Sequence, residues 1–556
     1  MIFGRTPVGE AVGAYLAHIV RLPDGALKKG RLLEQAEVDR LLSAGVTEAT
    51  VARLEADDVH EDVAAARLAA ALVGEGLKAS AAFTGRVNLI GQTAGVLLLD
   101  AARIDAINAI HESVTVATLA PYHALAARQI AATIKIIPFA APEAAVQAAE
   151  AIARDRGPVL RLAAYRPFKA ALIQSTLPSV KASVLDKTVD VMTRRLEALG
   201  GRLVGEWRAD HDSAAVSGAI AEADAAEADI LLIAGASAIV DRADALPAGL
   251  EAAGGRTLHF GMPVDPGNLI MLGERAGKPV IGLPGCARSP KLNGFDWVLQ
   301  RFAAGVPVTP KDIQAMGVGG LLAEIGARPL PRATATRPDP APDGPSAPKI
   351  AGMVLAAGQS RRMGTANKLL EAVGGKPMVA AAVEAALGAD VTCVTVVTGH
   401  EAGRIEAALK DYPVRFVHNA DFDQGLSASL KTAARAAPEG VDGVIVLLGD
   451  MPGVTSAHVD RLIAAFNPLE GRAICVPTWG GKRGNPVLWA ARYLEEMQSL
   501  EGDVGAKPLI GQNEDMLCEV EMPDPAVLRD IDTPAALAEI RAESTEKREN
   551  RPAGAE

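Results

Sequence analysis

The residues best suited to chemistry in this sequence form a short glycine-rich turn that carries three cations. Residues 355–370 read LAAGQSRRMGTANKLL, and the apolar stretch Ile350–Leu355 leads into them. A strand that ends in such a turn places several backbone N–H groups on one concave face, which suits a phosphate chain. Arg362 can then bind phosphate with its planar fork and Lys368 as a point charge. We therefore predict a triphosphate-binding turn with Arg362 and Lys368 as catalytic residues.

The spacing of this turn differs from both of the commonest phosphate-binding loops. A P-loop requires GxxxxGK[ST], but Gly358 and Gly364 are six residues apart and Thr365 follows the second glycine. A dinucleotide-binding fingerprint requires GxGxxG, which the turn lacks. The turn therefore belongs to neither class.

Two acidic residues follow it in the sequence and could hold a metal ion. The apolar stretch 443–448 ends at Gly449 and Asp450, and an acid at the carboxyl end of a buried strand faces the ligand crevice of an α/β sheet. Mg²⁺ binds through one or two carboxylates together with substrate phosphates. Asp532, in the sequence DIDTP, is a second candidate ligand, but it could equally cap the next helix. We predict Asp450 as a catalytic residue, and Asp450 with Asp532 as the metal ligands.

Three further polar segments could contact substrates. The first, NADFDQGLSASLK, contains Asn419 and Ser427, which could contact a nucleotide or simply begin a helix. The second, GKRGNPVLW, contains Arg483 and Asn485, and the third is GDVGAK at 502–507.

Composition limits the class of protein. Of the 556 residues, 49% are hydrophobic and 22% charged, which is typical of a globular α/β protein. The net charge of −11 and the absence of an extended basic patch argue against a nucleic-acid partner. Four widely spaced cysteines indicate reduced thiols, and we find neither a signal peptide nor an apolar run of membrane-spanning length. We therefore expect a cytoplasmic protein without membrane contact.

Hydrophobic patterning divides the chain into five segments. They are an accessory region (1–165), an α/β domain (166–327), a proline-rich linker (328–348), a second α/β domain (349–542) and a disordered tail (543–556). Strand and helix patterns alternate in both α/β domains, which predicts doubly wound, mainly parallel sheets. In the second domain, strands are predicted at 350–355, 392–398, 414–418, 443–448 and 473–477.

Residues 349–540 resemble the molybdenum cofactor cytidylyltransferases, a group of MobA-like nucleotidyltransferases. The matching motifs are LAAGQSRRMG, NKLL, NADFDQGLSASLK, LLGDMP, RGNPVLW, GDVGAK and DIDTP. The resemblance implies a glycosyltransferase-A-like fold and transfer of a nucleotidyl group to the terminal phosphate of molybdopterin, with release of pyrophosphate. It favours CTP over GTP, because cytidylyl members read LAAG where guanylyl members read LAGG. The nucleotide-binding residues that it implies are Leu355, Ala356, Ala357, Gly358, Ser360, Arg362, Gly364, Lys368, Asn419 and Ser427.

The first α/β domain contains the segments IAGASAIVDRAD (233–244), GMPVDPGN (261–268) and KPVIGLPG (278–285). With these segments, residues 166–325 resemble the molybdopterin-binding domain of molybdenum insertases. The resemblance implies a pterin site formed by Gly235, Ser237, Asp244, Pro266, Gly267, Pro284 and Gly285, with Arg483 and Asn485 added from the second domain. Some family positions differ: two glycines are replaced by Ala236 and Val240, a lysine by Asn268, and an Asn-Pro pair by Cys286 and Ala287. We therefore expect pterin binding with altered or absent insertase catalysis.

Together these features predict an enzyme that transfers a cytidylyl group from CTP, as its Mg²⁺ complex, to a molybdopterin-type cofactor held by the N-terminal half. A molybdoenzyme or its maturation chaperone would be the partner that receives the product. The alternatives are guanylyl transfer from GTP, cytidylyl transfer to an isoprenoid intermediate, and a carrier that performs no chemistry. The N-terminal pterin-like domain argues against the isoprenoid alternative, and the set of Arg362, Lys368 and Asp450 argues against a carrier.

Overall fold

The computed structural model describes residues 1–23, 25–321, 346–360, 367–500 and 505–549, with side chains as far as residue 542. Arg362 and Gly364, both predicted site residues, lie outside these ranges. Four successive groups of elements each enclose hydrophobic side chains of their own. In the part of the chain described, no helix is both long and apolar enough to cross a membrane.

The first group is a small antiparallel sheet with one helix. The central strand Glu48–Arg53 pairs with Ile2–Pro7 on one side and Tyr15–Leu16 on the other. A separate pair joins Val20–Leu22 to Gly25–Leu27. The helix, Gln35–Ser43, begins with a capping box in which the side chains of Glu34 and Glu37 each accept the other's backbone N–H.

The second group contains three small antiparallel sheets and three helices. Its strands are Asp58–His60, Leu77–Ala79, Arg86–Gly91, Gly95–Leu99, Val114–Thr118, Ala124–Leu125, Ile130–Ile136, Ala140–Pro142 and Leu160–Ala164. Its helices are Glu61–Leu72, Ala101–Asn108 and Glu143–Arg154. Apolar side chains from these strands and helices form one core. The strands pair antiparallel, so this accessory region is not built on a parallel sheet.

Glu61 is a carboxyl of this group whose pKa is raised strongly by its surroundings. Its side chain is only 14% exposed, and the Lys135 ammonium lies 4.0 Å from Glu61 Oε2. Burial raises the pKa of Glu61 to about 7, because the Lys135 charge offsets only part of the desolvation and the neighbouring Asp62 adds to the rise. The folded protein therefore holds a proton on Glu61 that the unfolded chain releases near its ordinary pKa of 4.5.

We expect this buried carboxyl to make stability fall as the pH rises from about 4.5 to 7. In that window the folded state binds more protons than the unfolded state, and the loss approaches about 3 kcal/mol at about 1.4 kcal/mol per pH unit. Glu61→Gln should flatten the dependence and be the more stable protein at pH 8. Chemical unfolding followed at pH 5, 6, 7 and 8 measures this. The exposed Glu112→Gln is the control, and an unchanged slope in Glu61→Gln would contradict the assignment.

The third group is a six-stranded sheet between two layers of helices. The strand order is Gly201–Asp210, Phe168–Thr176, Ile230–Ala234, Lys278–Leu283, Met271–Arg275 and Arg256–Phe260. The helices are Ala182–Ala198, Ser213–Ala223, Ala245–Ala252, Gly294–Ala303 and Pro310–Gln314. Two separate buried clusters cover the opposite faces of the sheet, which explains the continuous apolar runs of its central strands.

This sheet differs from the predicted doubly wound sheet at one edge. Four strands are parallel as expected, but the fifth, Met271–Arg275, runs antiparallel to them. The edge strand Arg256–Phe260 pairs antiparallel with Met271–Arg275 and so runs in the direction of the first four. The tight connection through Ala276 and Gly277, both with positive φ, turns the chain back at once and leaves no room for a crossover helix.

The fourth group is an eight-stranded mixed sheet with helices packed against it. Seven strands follow the order Arg415–His418, Cys393–Thr398, Ile350–Ala356, Gly443–Leu448, Val487–Ala490, Ile474–Trp479 and Lys482–Arg483, and Leu517–Glu521 also pairs with Ile474–Trp479. The helices are Met378–Leu387, Ala402–Ala408, Leu426–Ala436, Ser456–Ala465, Leu494–Met497, Lys507–Gln512 and Pro534–Glu549. All five strands predicted in this domain are present, within two residues at each end.

The end of the predicted linker that adjoins the C-terminal domain has defined structure. Residues 328–345 of the linker lie outside the described ranges, but Ser346 bridges to Gln129 and the Ala347 N–H donates to the Arg128 carbonyl at 2.9 Å.

The predicted disordered tail is wrong in its first part, because the last helix continues from residue 542 to Glu549. The run STEKRE there is rich in good helix formers.

Candidate active site

Three charged side chains from distant parts of the sequence meet in the C-terminal group. Lys368 Nζ lies 2.6 Å from Asp450 Oδ2 and 2.6 Å from Asp532 Oδ1. The lysine is 9% exposed as a residue, whereas the side chain of Asp532 is 37% exposed. The ammonium therefore joins the two predicted metal ligands at the edge of the core.

Backbone contacts fix each member of this triad. Asp450 directly follows the central strand Gly443–Leu448, and its carbonyl accepts a hydrogen bond of 3.0 Å from the Ile531 N–H, which brings Asp532 to the same place. The Lys368 N–H donates to Ser360 Oγ at 3.1 Å, and Ser360 has a φ of 52°, in the left-handed region. The glycine-rich turn is thereby tied to the start of the segment that carries the lysine.

The electrostatics of the triad keep the lysine charged. Burial alone would lower the pKa of Lys368, but the charges and hydrogen bonds of Asp450 and Asp532 outweigh it and raise the pKa above the ordinary value. Asp450 Oδ1 is buried and has no hydrogen-bond partner among the described residues. This oxygen can still accept a bond or bind a cation.

A cavity of about 560 Å³ opens beside the triad. The predicted residues that line it are Leu355, Ala357, Gly358, Ser360, Lys368, Asp450 and Asp532. A Cβ atom at Gly358 would meet nothing within 4 Å, so the backbone there is open to the cavity. At Gly399, in contrast, a Cβ would lie 2.6 Å from Phe422 Cβ and 2.8 Å from Ala357 Cβ, so this glycine allows the cavity wall to close.

Three predicted nucleotide-binding residues lie behind the cavity wall rather than on it. Ala356 is 1% exposed within its strand, and Asn419 is buried with its Nδ2 donating to Ser429 Oγ at 3.2 Å. The Ser427 hydroxyl is also buried, with no partner among the described residues. Asn419 therefore positions Ser429, which does line the cavity.

The site prediction omitted several residues that form this wall. Polar members are Asp423, Gln424 and Asp530, and apolar members include Phe422, Leu426 and Leu448. Gly425, with φ 93° and ψ −169°, turns the chain between this wall and the helix Leu426–Ala436. The sequence signal for most of them was present in the motif DFDQGLSAS, but the pattern did not show which side chains face the ligand.

Arg483 and Asn485 do not line this cavity. Arg483 Nε donates to Glu519 Oε1 at 2.6 Å, on the strand Leu517–Glu521, and its Nη2 lies 3.6 Å from Glu514. The Asn485 N–H donates to the Val527 carbonyl at 2.9 Å, and the peptide bond to Pro486 is cis.

The predicted pterin residues of the third group gather where its parallel strands end. Gly235 follows the strand Ile230–Ala234, and Pro284 and Gly285 follow Lys278–Leu283. Ser237 is exposed beside Gly235. Asp244 has a structural task, since its two carboxylate oxygens accept the N–H groups of Ala245 and Val240 and cap a helix.

Pro266 and Gly267 belong to a second loop of the same group. The Asp265–Pro266 peptide is cis, and the Pro266 carbonyl accepts the Gly294 N–H at 2.9 Å. Gly267 has a φ of 140°, and a Cβ there would lie 2.9 Å from the Gly294 backbone. These two residues therefore fix the loop against the start of the helix Gly294–Ala303.

The acidic residues of the triad fit a divalent cation that is completed by substrate oxygens. Asp450 Oδ1 has no other partner among the described residues, and two carboxylates are what Mg²⁺ commonly takes from a protein alongside phosphates. In the described ranges no three His, Cys, Asp or Glu side chains converge as a complete metal site. A cation bound at Asp450 and Asp532 would thus depend on ligands from the nucleotide.

Comparisons with known proteins agree on the C-terminal group. Residues 352–516 match the MobA-like NTP transferase domain, and residues 5–53 match a domain of unknown function, DUF8806. The purine catabolism protein PucB of Bacillus subtilis is 28% identical over 35% of this chain and 97% of its own length. Nicotine blue oxidoreductase of Paenarthrobacter nicotinovorans is 28% identical over 34% of this chain and 93% of its own length.

A solved structure is also similar to part of this chain. It is a nucleotidyl transferase from Methanothermobacter thermautotroptrophicus, 29% identical, which covers 36% of this chain and 99% of its own, with a TM-score of 0.33. The family match covers the turn-bearing strand, the lysine and the first acid of the triad. The C-terminal part of this protein is therefore a nucleotidyltransferase domain of the MobA-like type.

Proposed function

We propose that this domain transfers the cytidylyl group of CTP to the terminal phosphate of a molybdopterin-type cofactor, and that the N-terminal half holds the pterin. The observation that carries the proposal is the ammonium of Lys368 between Asp450 and Asp532, beside a cavity that Gly358 leaves open. A cation flanked by two carboxylates beside an open backbone suits a triphosphate bound with a metal ion. The sequence Leu355-Ala356-Ala357-Gly358 supports CTP as the donor.

The reaction needs no covalent intermediate on the protein. An oxygen of the pterin phosphate attacks the α-phosphorus of CTP, a new P–O bond forms, and the bond from that phosphorus to the β-phosphate oxygen breaks. The electron pair leaves with pyrophosphate. Lys368 and the backbone of the glycine-rich turn hold the leaving phosphates, so they stabilise charge that grows in the transition state. Mg²⁺, held by Asp450 and Asp532, would neutralise phosphate charge when bound.

Positioning supplies the rest of the catalysis. Ser360 holds the Lys368 backbone, and the bond from Ile531 to the Asp450 carbonyl holds the two acids together. The groups that contact phosphate are therefore fixed before the substrate arrives, which avoids a cost of reorganisation in the reaction.

Pyrophosphate release by the purified full chain tests the proposal. We expect release with CTP, Mg²⁺ and molybdenum-loaded molybdopterin, and a kcat/KM at least about tenfold lower with GTP or ATP, since a base-edge mismatch leaves buried polar groups unpaired. A preference for GTP would show that GTP, and not CTP, is the nucleotide donor. Release only with an isoprenoid phosphate acceptor would replace the pterin, and no release with any pair would favour the carrier.

A further inference from the structure

Arg288 is a half-buried cation without a carboxylate partner among the described residues. Its guanidinium donates one hydrogen bond within the described residues, from Nη2 to the Gly235 carbonyl at 2.7 Å. Burial lowers the pKa of Arg288, and no neighbouring acid offsets that effect. Arg195 of the same group, in contrast, is paired with Asp296 at 2.7 Å. A desolvated guanidinium without a counter-ion favours the binding of an anion.

The position of Arg288 places this charge at the edge where ligands bind in α/β sheets. It ends the short 3-10 helix Gly285–Arg288, which follows the strand Lys278–Leu283. Its partner carbonyl, on Gly235, follows the adjacent parallel strand Ile230–Ala234. The guanidinium therefore spans the carboxyl ends of two neighbouring parallel strands.

A second polar pair holds the other side of the same peptide unit. The Ala236 N–H, which shares its peptide bond with the Gly235 carbonyl, donates to Ser175 Oγ at 3.0 Å. Ser175 Oγ in turn lies 2.8 Å from His211 Nδ1. Ser175 and His211 come from the ends of the other two parallel strands, so all four strands contribute polar groups to this edge.

We propose that Arg288 recognises the phosphate monoester of the ligand that the N-terminal half holds, an inference that rests on the proposed function. One contact to the Gly235 carbonyl leaves guanidinium N–H groups for a phosphate, whose geometry matches the arginine fork. Discrimination between a phosphate ester and its alcohol would thus depend on this residue.

The test compares two probes on the full chain, a fluorescent pterin monophosphate and the same pterin with a free hydroxyl. We expect the wild type to bind the phosphate at least about tenfold more tightly, as a charge-assisted pair requires. Arg288→Gln keeps an N–H donor for the Gly235 carbonyl but removes the charge. It should abolish the difference in affinity between the two probes without weakening the binding of the alcohol. Arg242→Gln is the matched control, since Arg242 is an exposed arginine that also donates to a backbone carbonyl, that of Thr257 at 3.1 Å.

The outcomes separate this inference from the proposed function. If Arg288→Gln lost affinity equally for both probes, the residue would have a structural role and the inference would be overturned. An unchanged phosphate preference would overturn it as well, while CTP-dependent pyrophosphate release would still stand or fall on its own assay. If wild type binds neither pterin, inorganic phosphate is the probe: loss of its binding in Arg288→Gln alone supports the anion site, and equal binding in all three proteins rejects it.

Discussion

Asp450→Asn should lower the kcat of pyrophosphate release about 10³-fold while the protein stays folded. The change keeps the size of the side chain but removes the negative charge that a divalent cation needs, and loss of one preorganised electrostatic group costs about 10²–10³ in rate. The buried Oδ1 atom has no other partner among the described residues, so no neighbouring group can take over its role. Steady-state kinetics with saturating CTP and Mg²⁺ measure the effect.

A matched control lies at the other end of the same strand. Asp442 precedes Gly443–Leu448, and its Oδ2 accepts the Lys349 N–H at 2.7 Å, far from the triad along the strand. Asp442→Asn should retain wild-type kcat. The kcat of Asp532→Asn should lie between those of Asp450→Asn and Asp442→Asn, because the carboxylate of Asp532 is more exposed than that of Asp450. Full activity in Asp450→Asn would remove this acid from the catalytic site.

Lys368→Met should reduce kcat/KM for CTP about 10²-fold and at the same time increase the affinity for a divalent cation without nucleotide. The methionine fills a similar volume but leaves Asp450 and Asp532 without the ammonium that now lies 2.6 Å from each. Loss of a cation that stabilises phosphate charge explains the first effect. Removal of a positive charge from between two carboxylates explains the second.

The measurements that separate these effects are kinetics and calorimetric titration with Mn²⁺. Lys368→Arg keeps the charge and should recover part of the activity, since it changes the geometry of the cation but not its sign. We expect a stability cost of about 1–3 kcal/mol in Lys368→Met, at the lower end of buried ion pairs because Asp532 is partly exposed. If Mn²⁺ affinity fell in Lys368→Met, the two carboxylates would not be the cation site.

Local pattern was enough to predict five strands of the C-terminal group. The runs around Val354, Val446 and Ile474 are continuously apolar because helices cover both faces of those strands, and such runs are visible in a sequence. The reversal at Ala276 and Gly277 was not predicted, because the strand that enters it, Met271–Arg275, has only five residues and its last two are only partly buried. Helix extension beyond residue 542 was missed because charged composition was taken as disorder.

The candidate active site could likewise be predicted only in part from the sequence. Spacing within one segment indicated that Lys368 and the glycine-rich turn act together, and strand ends indicated Asp450. Which buried residues face the cavity was not readable, because Ser427 and Ser429 are two residues apart on one helix and only the second lines it. The segment that contains Arg362 is outside the described ranges, so its role as a catalytic residue stays a prediction.

The sequence by itself determined the class of elements, the glycine-rich turn, and the candidate groups Lys368, Asp450 and Asp532. Only the tertiary structure decided that these three meet, since 82 residues separate the lysine from Asp450 and 164 separate it from Asp532. It also decided that Arg288 lies against Gly235, 53 residues away. Periodicity reports which side of an element is buried, whereas contacts between elements depend on strand order, and strand order is set by packing of the whole sheet.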